Sequence, residues 1–100
     1  MYKVSVTIKY IGQNPMEDKK WAYEAKAKTP QEIIYHSIGY INSINSAYSL
    51  RLNDKALKEK MLSKVDKAAY EIKESREDLT KYLLRESQSK IRITVSLTLA

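Results

Sequence analysis

The stretch DKALKEKMLSKVDKAAYEIKESREDLTKYLLRES, from Asp54 to Ser87, decides the fold. Its apolar residues Leu57, Met61, Val65, Ala68, Ile72, Leu79, Tyr82 and Leu83 recur nearly in phase with a 3.6-residue turn, so they fall on one helical stripe. Asn53 or Asp54 can cap its start. Taken as unbroken, the pattern predicts a helix over 54–87 of about 34 residues, roughly 50 Å long at ~1.5 Å per residue. A compact domain of this size has a radius of gyration near ~13 Å, so such a helix overhangs it. Either the helix breaks around Glu74-Ser75-Arg76-Glu77-Asp78, where Ser75 and Asp78 have capping spacing, or its far end packs on a second subunit. The continuous stripe favours one long helix and, through its overhang, a homodimer.

Outward from this stretch the periods change. Tyr2, Val4, Val6, Ile8 and Tyr10 alternate with Lys3, Ser5, Thr7 and Lys9, which predicts a half-buried strand over about 2–11. Gly12 and Asn14-Pro15 mark a turn, after which Trp21, Tyr23, Ala25 and Ala27 alternate with Lys20, Ala22, Glu24, Lys26 and Lys28 in a second strand over about 20–28. The two make an antiparallel hairpin. Thr29, Pro30 and Glu32 form an N-terminal helix signal with a capping box, and Ile34, Ile38, Ile41, Ile44 and Tyr48 line one face of a helix over about 30–50. After the 54–87 segment, Ile91, Ile93, Val95, Leu97 and Leu99 alternate with Arg92, Thr94, Ser96 and Thr98 in a strand over about 90–99. The expected fold is an α+β two-layer sandwich in one domain over residues 1–100. It has a three-stranded sheet in the order ββααβ, with two helices on one face. The last strand runs antiparallel to the second or pairs with the first in parallel; the pattern leaves this open.

The chain has 18 basic and 12 acidic residues, a net charge of +6. The basic excess sits mainly in the two end segments: residues 1–29 carry Lys3, Lys9, Lys19, Lys20, Lys26 and Lys28 against Glu17, Asp18 and Glu24, and residues 89–100 add Lys90 and Arg92. Strand alternation places Lys3, Lys9, Lys20, Lys26, Lys28, Lys90 and Arg92 on the polar side of the sheet, against Glu24 alone. A two-layer fold leaves that side open to water. Lysines there either guard an uncovered sheet against aggregation or form a docking surface for an anionic partner. Tyr2, Tyr10, Trp21 and Tyr23 all fall on the apolar side, so the basic side is expected to have no ring for stacking on bases. Nucleic acid would then be held through phosphates alone, without reading the bases.

Catalytic and metal-binding patterns are missing. With no cysteine and one histidine, His36, the chain offers no zinc-ligand cluster, thiol nucleophile or Ser-His-Asp context. Gly12 and Gly39 lie too far apart for a phosphate-cradling loop. Glu71, Glu74, Glu77 and Asp78 interleave with Lys73, Arg76 and Lys81 as a self-paired, solvated helix face. No enzyme, cofactor or metal is expected.

Eight tyrosines stand where phenylalanine is absent. Tyr70 falls opposite the long helix's stripe, Leu84 lies off it, and Tyr35 and Tyr40 flank the first helix's stripe. With Tyr82, these are candidate partner or dimer contacts. Residues 1–5 have no continuous apolar region, and no apolar run is long enough for a bilayer, so a cytoplasmic, soluble chain without membrane contact is expected. The function expected from these features is a small binding protein: an inhibitor, adaptor or accessory factor of a protein partner with an acidic surface. The alternative is non-specific nucleic-acid binding through the same basic face. A third, weaker reading is capture of a phosphorylated small molecule between subunits. Such a module suits a viral or mobile-element accessory protein.

Overall fold

The computed structural model describes residues 1–75, 78–88 and 90–100. Strands β1 (Tyr2–Tyr10) and β2 (Lys19–Ala27) form the first hairpin, around a single 3-10 turn at Pro15–Glu17. Helices α1 (Pro30–Tyr48) and α2 (Asp54–Glu74) follow, and a second hairpin of β3 (Lys81–Gln88) and β4 (Ile91–Leu99) completes the fold. The fold is α+β, with one four-stranded antiparallel sheet ordered β2-β1-β4-β3.

The expected 54–87 helix is therefore corrected to a 21-residue helix followed by a strand. The backbone turns extended at Ser75 (φ −73°, ψ 139°), whose N–H donates to the Glu71 and Ile72 carbonyls. Arg76 and Glu77, on which part of the expected break and side-chain pairing falls, lie outside the described residues. As β3, the segment buries both Leu83 and Leu84 on the core. A register shift between Tyr82 and Leu84 puts these two consecutive leucines on the same, inner side. That irregularity hides the strand from a period-two reading. Leu84 is only 2% exposed, so it is a core residue and not a partner contact.

The extra strand also settles how β4 pairs. It reverses the chain once more, so β4 runs antiparallel to β1 and lies between β1 and β3. Neither arrangement expected for a three-stranded sheet occurs.

Val4, Val6 and Ile8 of β1 and Ile93, Val95 and Leu97 of β4 are buried under the helices. They meet Ile33 and Ile41 of α1 and Leu57, Met61, Val65 and Ile72 of α2 in one core cluster. Helix α1 packs on the β1–β2 hairpin, while α2 packs on β3 and β4. Tyr2 ties the halves together by donating its hydroxyl to the Ala69 carbonyl of α2 (3.2 Å, buried).

The α1 start follows its sequence signal: the Thr29 hydroxyl accepts from the Glu32 N–H at 3.2 Å, and the Glu32 carboxylate accepts from the Lys28 N–H at 2.7 Å. The helix ends at Ser49 in the left-handed region (φ 51°), and Arg51 repeats that conformation (φ 60°). Asn45 holds the loop by bonding both main-chain groups of Leu52 (2.9 and 3.2 Å). At the sheet's far edge, Lys81 and Glu71 pair at 2.5 Å and Lys60 and Glu86 at 2.7 Å, pinning β3 to α2. The hydrogen bond from Lys81 holds the Glu71 carboxyl below the usual carboxylate range.

These placements separate core from surface. Leu84→Ala is expected to cost about 2–5 kcal/mol by opening a core cavity, whereas Tyr70→Ala, at 66% exposure, should change stability by less than about 0.5 kcal/mol. Urea unfolding followed by circular dichroism measures both.

Candidate functional site

The strand registers line up four rows across the sheet face that no helix covers. At one end Lys26 opposes Lys3, which opposes Thr98. The next row is Glu24, Ser5, Ser96 and Tyr82, and the third is Ala22, Thr7, Thr94 and Arg85. The last row places Lys20, Lys9, Arg92 and Ser87 side by side. Alternation alone puts these residues here, because the opposite positions on every strand supply the core.

Lys3, Lys9, Lys20, Lys26 and Arg92 thus share one face. Lys28 lies just beyond β2 and Lys90 in the β3–β4 turn, so these two belong to its rim. Lys90 and Arg92, with Ile11, Gly12 and Ser87, line a cleft of about 370 Å³ at the end of the Lys20–Lys9–Arg92 row. Arg85, opposite Thr94, joins the face as a further cation; the helical periodicity read over 54–87 does not bring it there.

Tyr82 corrects a second expectation, that the basic face has no ring. It opposes Ser96, is 48% exposed, and lies beneath the Arg85 guanidinium at 4.5 Å from the ring centroid. It stands on the edge strand; the central strands β1 and β4 present only Ser, Thr, Lys and Arg.

The face is under electrostatic strain. Lys3 directly opposes Lys26, and Lys9 opposes both Lys20 and Arg92. Among the described residues, none of these five forms an ion pair; the ion pairs lie on α2 and between α2 and β3. Directly opposed like charges destabilise a sheet by roughly 0.2–1 kcal/mol per pair. The hydroxyl residues in the middle rows carry no such cost.

The tyrosines singled out as contacts do not come together. Tyr35 is 76% exposed on α1 and Tyr70 is exposed on α2, while Tyr82 lies on the sheet face. Tyr40 is half-buried, stacked on Tyr23 (4.9 Å between centroids, 10° between planes), and donates to the Ala22 carbonyl at 3.4 Å. Burial, helped by Tyr48, pushes the Tyr40 phenol above its ordinary range. With Tyr23, Tyr35, His36, Gly39 and Ser43, Tyr40 lines a cleft of about 350 Å³ between α1 and β2. The overhanging helix on which a homodimer was expected is absent, because α2 ends at Glu74.

No group of three or more His, Cys, Asp or Glu residues is placed to hold a metal among the described residues, and none of their helices is long and apolar enough to cross a membrane. No protein-family description, curated protein or solved structure matches this chain.

Lys9 sits between two cations, and its neighbour on the same strand and face is already a threonine, Thr7. Lys9→Thr should therefore raise stability, by the order of 0.5 kcal/mol at low salt. The wild-type protein should likewise unfold at higher temperature in 300 mM than in 20 mM NaCl, with the gap between variant and wild type narrowing as salt screens the face. A midpoint lowered by Lys9→Thr at both salt concentrations would show that these charges are not in conflict.

Proposed function

We propose that this protein acts by contact and not by catalysis, docking the open sheet face on an acidic surface of a protein partner as an inhibitor, adaptor or accessory factor. The observation that carries this reading is the opposed, unneutralised set Lys3/Lys26 and Lys20/Lys9/Arg92. An acidic surface laid on the face relieves their repulsion, so binding recovers stability that folding gives up. The short Ser5, Thr7, Thr94 and Ser96 side chains between the cations form a shelf that donates and accepts hydrogen bonds. A flat face with charge at both ends and hydroxyls between suits another protein's surface. Glu24, in the middle of the edge strand, works against a continuous run of phosphates.

The charge reversals Lys26→Glu and Arg92→Glu test this reading. Each should slow association with the partner about tenfold or more at low salt, with the wild-type on-rate falling steeply as salt rises. On-rates unchanged by both substitutions and by salt would reject the open face as the docking surface.

Tyr82 beneath Arg85 favours a second reading, single-stranded nucleic acid held by one stacked base and by phosphate contacts. Fluorescence anisotropy of labelled 25-mers at 50 and 200 mM salt separates the two. About five neutralised phosphates would give a log–log salt slope of roughly −3 to −4 on single strands. Tyr82→Ala should then weaken single-strand binding about fivefold or more, at roughly 1–3 kcal/mol per stacked base. An absence of binding at 50 mM salt would leave the protein-docking reading alone.

A further inference from the structure

The two edges of the sheet differ. Strand β3 is irregular at Tyr82/Leu84 and is tied to α2 through Lys81 and Glu86, which blunts its outer edge. Strand β2 pairs with β1 without a shift from Lys19 to Ala27, so its outer edge is regular along its whole length. In an antiparallel ladder both main-chain groups of a residue point to the same side, and successive residues alternate. The Ile11 N–H donates to the Lys90 carbonyl and the Ala100 N–H to the Met1 carbonyl, so the odd-numbered residues of β1 bond to β4 and the even-numbered ones to β2. Lys20, Ala22, Glu24 and Lys26 oppose odd-numbered residues of β1, so their main-chain groups face away from it, and the Tyr40 hydroxyl reaches the Ala22 carbonyl there. That contact is long, at 3.4 Å, and leaves the carbonyl a second lone pair.

We propose that this edge pairs with the same edge of a second copy, antiparallel, about a twofold axis through Ala22. Charge selects both the occupant and the register. Outward-facing groups meet outward-facing groups only when the axis passes through a residue, and registers that keep most of β2 overlapped put it at Ala22, Tyr23 or Glu24. An axis at Tyr23 sets Lys20 against the partner's Lys26 twice. An axis at Glu24 sets Glu24 against itself and Lys20 against the partner's Lys28. At Ala22, Lys20 lies opposite the partner's Glu24, Lys26 opposite the partner's Asp18, and Ala22 against itself. No like charges are then opposed across the junction. Lys20, Ala22 and Glu24 each exchange both main-chain bonds with the partner subunit.

The helix side agrees with this register. Trp21 falls opposite the partner's Tyr23, and both residues are half-buried and already packed from α1, Trp21 by Tyr48 at 4.8 Å and Tyr23 by Tyr40. The junction thus adds a directly opposed aromatic pair on each side of the axis. The lysines that forbid other registers leave this one open. The two sheets join into one, and their basic faces lie on the same side of it.

Sedimentation equilibrium of the full chain from 1 µM to 1 mM tests the proposal. Wild type should show a reversible dimer of the 11.6 kDa chain, with the fluorescence of its one tryptophan, Trp21, changing over the same range. K20E and E24K each place like charges opposite one another twice, and each should raise the dimer Kd about tenfold or more; K20E/E24K should bring it back to within about threefold of wild type. Both positions are exposed on an edge strand, and an unchanged circular dichroism spectrum verifies the fold of each variant. K20E also lowers the net charge from +6, which on long-range repulsion alone tightens association, so weakening reports the local pairing. A protein still monomeric at 1 mM, a dimer indifferent to K20E and E24K, or a double variant that does not recover would each overturn the proposal.

Discussion

Everything else in this structure rests on the pairing of β1 with β4. The two strands are matched residue for residue from Tyr2↔Leu99 to Tyr10↔Ile91, and further bonds extend the match at both ends, from the Ile11 N–H to the Lys90 carbonyl and from the Ala100 N–H to the Met1 carbonyl. It joins segments from opposite ends of the described chain, so its closure entropy is met only once other contacts are in place. Each hairpin forms locally and has its own helix: α1 on the first, α2 on the second. Neither hairpin with one helix closes a core. Val4, Val6 and Ile8 beside Ile93, Val95 and Leu97 make the floor on which both helices rest. One register therefore sets the core and, on the reverse side, the order of the charged rows.

That coupling explains how much of the protein was legible in its sequence. Period-two runs over β1, β2 and β4 and the Thr29–Glu32 helix start are strong local signals, and the structure has those elements within a residue or two. Because alternation fixes the side of each residue, Lys3, Lys9, Lys20, Lys26 and Arg92 were placed on one face without knowing which strands are neighbours. The fourth strand was not legible for a specific reason. Leu79, Tyr82 and Leu83 continue the α2 stripe in phase, while the shift at Tyr82/Leu84 breaks the alternation that would have marked a strand. The error then spread to Leu84, Tyr82, Arg85, the direction of β4 and the overhang from which a dimer was inferred. One irregular residue in a short strand carried all of these with it.

The opposed lysines bear on what the open face is for. Lysines that merely kept an uncovered sheet soluble would do so equally well at offset positions, where each faces a hydroxyl or an acid. Here the strand registers place them directly against each other at both ends of the face, with Ser5, Thr7, Thr94 and Ser96 between. Those hydroxyls show that the same sheet accommodates neutral polar residues at equivalent positions. The fold therefore tolerates a repulsion it does not require. Under the docking reading proposed above, that repulsion is what an acidic partner relieves.

The sheet's edges and its face then belong to one electrostatic design. An open face of one sign makes random stacking of copies unfavourable, and the irregular β3 edge and the lysines of β2 make random edge pairing unfavourable too. What remains favourable is whatever supplies the missing negative charge. Glu24 is the only acid in the strand rows of the face, and it lies on the edge strand with its main chain facing outward. Inside one chain, among the described residues, it forms no ion pair with the opposed lysines. Across the β2 junction it meets a lysine, and the charge left on the joined face then lies mainly on β1, β4 and β3, at Lys3, Lys9, Arg92 and Arg85. Edge pairing would therefore concentrate the positive charge on two flat shelves facing the same way, so an acidic partner with its own twofold symmetry could engage both at once.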